Sequence, residues 1–171
     1  MRLNMYLAAV AATLVAATPA VAATATRSAT AEARGVVLQP LTLTKVTDLD
    51  FGTVAGSNIA GNVTVDADSG VRTAGGGVIA APSTFSRGRF DGLGQAGQTV
   101  GLTLTPPTGN VLVSGSNTVA VNSMSLDAGG ATRVIGSGGN FTVYIGGDFG
   151  IAANQPNGTY SALFTLTADY Q

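Results

Sequence analysis

Short runs in which apolar and polar residues alternate fill most of this chain, and turn residues separate them. "GNVTVDA" alternates over Val63 and Val65 and closes in a turn at Asp66 to Gly70. "QTVGLTLTPPTG" alternates over Val100, Leu102 and Leu104 and stops at Pro106-Pro107. "NTVAVNSMSLDAGG" carries Val119 and Val121, then Met124 or Leu126, and "GNFTVYIGGDFG" sets Phe141, Val143 and Ile145 on one face. The last run, "GTYSALFTLTADYQ", puts Tyr160, Ala162, Phe164, Leu166, Ala168 and Tyr170 on one side, with Leu163 as the exception. A two-residue period means strands with one buried and one wetted face. No stretch has a helical period, so about seven to nine short, mostly antiparallel strands predict an all-β immunoglobulin-like sandwich.

Breaks in the pattern locate edges. Pro40 interrupts the strand-like "GVVLQPLTLTK" and removes a ladder donor, which confines that segment to an edge, a bulge or a sheet switch. "TDLDFGTV" predicts a short strand around Leu49 and Phe51 that kinks at Gly52. "STFSRGRFDG" reads as a loop in which Arg87, Arg89 and Phe90 form a candidate contact site.

The first residues carry an address. Arg2 precedes the apolar run Leu7 to Ala17, then Thr18-Pro19 and Ala20-Val21-Ala22. A positive start, a short apolar stretch and a small-x-small site predict a signal peptide over 1–22, cut near Ala22, and hence an exported protein. A membrane span needs about 20 apolar residues, and no later run supplies them. Residues 23–34 follow as a flexible arm with alanines on alternate positions, and 35–171 as the sandwich.

Composition narrows the chemistry. There is no cysteine and no histidine, which excludes disulfides, thiolate metal sites and the commonest general base. The net charge is −1 and aromatic residues make up 6%. Nucleic acid would want a concentrated basic face with aromatics, and a sugar cleft would want aromatics to stack on. "DADSG", Asp66 to Gly70, lacks the full calcium-loop spacing and reads as an Asx turn. The two Asp-Phe-Gly triplets lack every companion of a kinase site. Asp48 with Asp50, or Asp91 with Asp127, are the pairs a glycoside hydrolase reading would need. The asparagines of "NVT", "NFT" and "NGT" match the glycosylation triplet at a rate that chance allows in a Thr-rich chain. The sequence predicts no cofactor, no metal and no enzyme.

The stretches "PLTLTKVTDLDFGTVAG", "GNVTV" and "ANQPNGTYSALFTLTADYQ" together resemble the secreted bacterial family known as domain of unknown function 4402. The opening strand that ends in Phe-Gly and the closing Gly-Thr-Tyr strand are also similar to spore-coat-U-type and chaperone–usher pilin subunits. That second resemblance implies a sandwich short of one strand, which the N-terminal arm of a neighbouring subunit supplies. It implies self-association, with a periplasmic chaperone and usher as partners, and a chain that closes on a penultimate tyrosine, as Tyr170-Gln171 does. On this reading Phe164, Leu166 and Tyr170 line the open groove, and Ala29, Ala31 and Ala33 are the donor positions. The expected role is a non-enzymatic structural or surface subunit. The alternative is a monomeric binding module that contacts glycan or protein through its loops.

Overall fold

The computed structural model describes residues 26–128 and 130–171. The chain divides into two units, 1–35 and 36–171. In the first, residues 26–35 carry no strand or helix and are exposed. Within it Arg34 pairs with Glu32 at 2.9 Å.

The second unit is all-β. Its strands are β1 (Thr42–Thr47), β2 (Val54–Ala55), β3 (Gly61–Val65), β4 (Arg72–Gly76), β5 (Ile79–Ala80), β6 (Gly88–Leu93), β7 (Thr99–Thr105), β8 (Val111–Ser114), β9 (Asn117–Leu126), β10 (Thr132–Val134), β11 (Asn140–Ile151) and β12 (Thr165–Tyr170). Among the described residues the one helical piece is a 3-10 turn at Thr108–Asn110, and no helix is long and apolar enough to cross a membrane. The count exceeds the expected seven to nine because β2, β5, β8 and β10 are two to four residues long. Pieces that short leave no readable period.

Strand β11 organises the larger sheet. Ile145 pairs with Gly88 of β6 and also with Leu126 of β9, so β6 and β9 lie on opposite flanks of β11. Gly147 to Gly150 pair with both β3 and β9, which puts β3 on the flank that β6 occupied earlier. One long strand therefore serves β6 along its first half and β3 along its second. With β1, β4 and β8 added, the sheet has seven strands. β1 pairs only with β6 and is an edge, as Pro40 just before it requires.

A three-stranded sheet, β10-β7-β12, packs on part of the larger one. Val100, Leu102 and Leu166 from the small sheet meet Phe141, Val143 and Ile145 from β11, and Ile135 completes this buried cluster. A second cluster of Val63, Val78, Val119, Phe149 and Ile151 has no member from β7, β10 or β12. The fold is thus a β-sandwich with two interiors, of which the small sheet covers one.

Two details of register explain the sequence pattern. In β9, Val121 pairs with Phe149 and Ser123 with Asp148, so Asn122 is the extra residue of a bulge. The bulge switches parity, and Val119 and Val121 (odd) share the inner side with Met124 and Leu126 (even). In β6, Gly88 and Gly92 stand opposite Ile145 and Phe141. A Cβ at Gly92 would lie 2.1 Å from the Phe141 ring, so the small residue makes room for the large one.

Candidate functional site: an open cleft in the sandwich

Part of this second cluster lines a cleft of about 1010 Å³. Phe149 and Ile151 of β11, Val119 and Val121 of β9 and Phe90 of β6 lie along it. One wall is the stretch from Asp48 to Gly56, and the other runs from Pro156 to Phe164.

The first wall is pinned from outside. Gly52 has φ 71°, a left-handed conformation that favours glycine. Asp50 accepts from the Gly52 N–H at 2.8 Å, an Asx turn that makes the kink the sequence predicted. Arg72 of β4 donates to the Phe51 carbonyl at 3.0 Å and to the Ala81 carbonyl at 2.7 Å, and its guanidinium lies 4.6 Å from the centre of the Phe85 ring. So held, Phe51 meets Phe149 edge to face, with ring centres 4.5 Å apart.

The second wall is anchored at its start and free further on. Tyr160 donates to the Pro156 carbonyl at 2.6 Å and accepts from the Gln155 amide at 2.9 Å. Ser161 exchanges two backbone bonds of 3.0 Å with Val113. Beyond it Ala162, Leu163 and Phe164 join no ladder, and pairing with β7 begins only at Thr165. The alternation from Tyr160 to Tyr170 predicted one strand, yet only its second half has a partner. Leu163 is 92% exposed, close to Val37 at 95% and Val36 at 86%, the most exposed large apolar side chains among the described residues.

The predicted residues scatter around this geometry. Phe164 lines the cleft and meets Phe90 edge to face at 6.1 Å. Leu166 does not line it, because it is buried in the covered core opposite Leu104. Tyr170 also packs on that core, and its hydroxyl donates to the Gln39 carbonyl at 2.9 Å and accepts from the Gln95 N–H at 2.6 Å. It closes the covered end. Ala29, Ala31 and Ala33 are exposed in the strandless 26–35 stretch.

The expected contact loop is replaced by a strand. Gly88–Leu93 is β6, flanked on both sides, with Phe90 turned inward and Arg89 and Asp91 outward. Arg87 is occupied by the Ala67 and Asp68 carbonyls and lies 3.5 Å from the centre of the Tyr144 ring. Arg89 forks onto Asp91 at 2.9 and 3.1 Å. Sequence reasoning missed Arg72 as the pin of one wall and Leu163 as the lip of the other. The signal for Leu163 was there, as the one residue out of phase in the last run.

The carboxylates singled out from the sequence each have a partner of their own, Asp50 the Gly52 N–H. Asp48 pairs with Lys45 at 2.7 Å at the cleft rim, Asp127 with Arg133, and Asp91 with Arg89 and Thr142. The Thr142 hydroxyl and the Arg89 guanidinium hold the Asp91 carboxyl below its ordinary value. Asp66 is held low by the Ser69 hydroxyl and N–H, the Asx turn read from "DADSG". Asp148 of the second Asp-Phe-Gly sits on the outer face. Partial burial pushes its carboxyl up, but hydrogen bonds from Thr64, Asn122 and Asn62 together outweigh that and hold it low.

Apolar side chains line the cleft, and the main chain of Ala162 to Phe164 along one wall joins no ladder. An all-β, β-sandwich-like domain is the class that this fold defines. The chain belongs to the family described as domain of unknown function (DUF4402), whose model matches residues 41–170. No curated protein and no solved structure matches it.

Proposed function

We propose that this is an exported, non-enzymatic structural or surface protein that associates by β-strand addition. The cleft of one copy receives the N-terminal segment of the next. The observation that carries the reading is the unpaired half-strand at Ala162 to Phe164, beside a floor that the small sheet leaves uncovered. The segment has the right character: 26–40 form no strand, and Val36 and Val37 are almost fully exposed. Extended, such a stretch spans about 50 Å at roughly 3.3 Å per residue. Burying a valine stabilises by about 1.5–3 kcal/mol, so Val37, on the alanine face, contributes more than any one of Ala29, Ala31 and Ala33. During export the same cleft would be held by a periplasmic chaperone and handed on at an usher. The alternative is a monomeric module that binds glycan or protein through its loops; of these Arg87 to Gly92 no longer counts, because Gly88–Leu93 is an inner strand.

Purified protein without residues 1–22 should form concentration-dependent oligomers in sedimentation velocity. A variant that also lacks 24–37 should keep its β circular-dichroism spectrum and sediment as a monomer. Unchanged assembly of that variant would overturn the proposal.

A further inference from the structure

We propose that two ion pairs set the register of the added strand by exchanging partners. Glu32 and Arg34 of one copy leave each other for Lys45 and Asp48 at the cleft rim of the next. The inference rests on the strand-addition reading and adds the occupant's alignment to it.

The segment's alanines cannot choose a register. In an extended chain Ala29, Ala31, Ala33, Gly35 and Val37 share one face. Sliding that face by two residues places alanine where alanine was over most of its length, and only Val37 at its end resists the slip. A different feature has to break the degeneracy.

Glu32 and Arg34 fall on the opposite face, so when the alanines look at the floor both charges look outward at the rim. Their side chains are 71% and 81% exposed and pair with each other. Lys45 and Asp48 at the rim are also exposed and paired with each other. Lys45 is the only lysine of the chain and stands opposite Phe90 in the β1–β6 ladder, on the inner side of an edge strand. The remaining charge along the cleft, Asp50, is held by the Gly52 N–H.

Partner exchange, Glu32 to Lys45 and Arg34 to Asp48, keeps the number of ion pairs constant. A two-residue slip in one direction brings Arg34 to Lys45, and in the other brings Glu32 to Asp48. Both juxtapose like charges. Exposed pairs contribute little to affinity, so the exchange selects alignment and leaves cohesion to the backbone and Val37.

The test is self-association of the purified protein without residues 1–22, measured by sedimentation at low salt. The K45E/D48K and E32K/R34E variants should each associate about tenfold more weakly, and the variant carrying all four changes should return to within about threefold. Mixing the two double variants should restore association between them. At about 1 M salt, where screening acts within roughly 3 Å, the differences should shrink. Double variants that associate like the parent, or a fourfold variant as weak as either double, would overturn the register. A parent that stays monomeric, or that assembles equally well without 24–37, overturns strand addition itself and the register with it. All four positions are exposed, and circular dichroism checks that each variant is folded.

Discussion

The two interiors of this sandwich are built from the same strand and end differently. The first half of β11 offers Phe141, Val143 and Ile145 to a roof of β7 and β12, and the result is a sealed core. The second half offers Phe149 and Ile151 to no such roof, and the result is a cleft. Side-chain chemistry does not separate the halves, since both are rows of Val, Ile and Phe. The difference lies in what packs on them: a second sheet over the first half, and Phe51, Val54, Leu112 and Tyr160 beside a cleft over the second. On the strand-addition proposal, the added strand lies in the cleft beside the unpaired Ala162 to Phe164.

Substitutions in each half should behave differently. Ile145→Ala empties a fully buried position in the sealed core and should destabilise by about 2–5 kcal/mol, read as a lower urea midpoint. Arg72→Gln removes the pin of the first wall and should cost about 2 kcal/mol. It should also weaken association by more than its stability loss explains, because the Phe51 wall is part of the cleft. Acid should act on both halves. Asp66, Asp91 and Asp148 have carboxyls held below the unfolded value, so their contribution is present above roughly pH 4 and is lost as the pH falls through the folded values. Urea midpoints should be flat from pH 7 to about 5 and fall below about 4, and the D148N variant should fall less steeply there. Smallest of all, Leu163→Ser should change stability by less than about 0.5 kcal/mol while reducing association, since Leu163 is exposed until something covers it.

The sealed half was readable in the sequence because its evidence is local. Val100, Leu102 and Leu104 alternate between clear turn signals, and the structure places them as the period demands. The open half was misread where alternation was taken for pairing. Tyr160 to Tyr170 alternates because its side chains face an interior throughout, but period two reports side-chain direction and says nothing of whether the backbone has a neighbour. Leu166 and Tyr170 were therefore assigned to a groove that only Phe164 reaches. Arg87 to Gly92 was misread for a different reason. Two arginines among glycines look like a loop, whereas those glycines exist to fit Ile145 and Phe141 across the ladder. Parity in β9 was ambiguous from sequence because a bulge at Asn122 has no compositional mark.

Hydrogen exchange at individual backbone amides compares the halves most directly. In dilute monomer the amides of Ala162, Leu163 and Phe164 should exchange fast while Val143 and Phe149 of β11 are protected, and assembly should slow the first group and leave the second unchanged. Protection of Ala162 to Phe164 already in the monomer, or no change in them on assembly, would contradict the account.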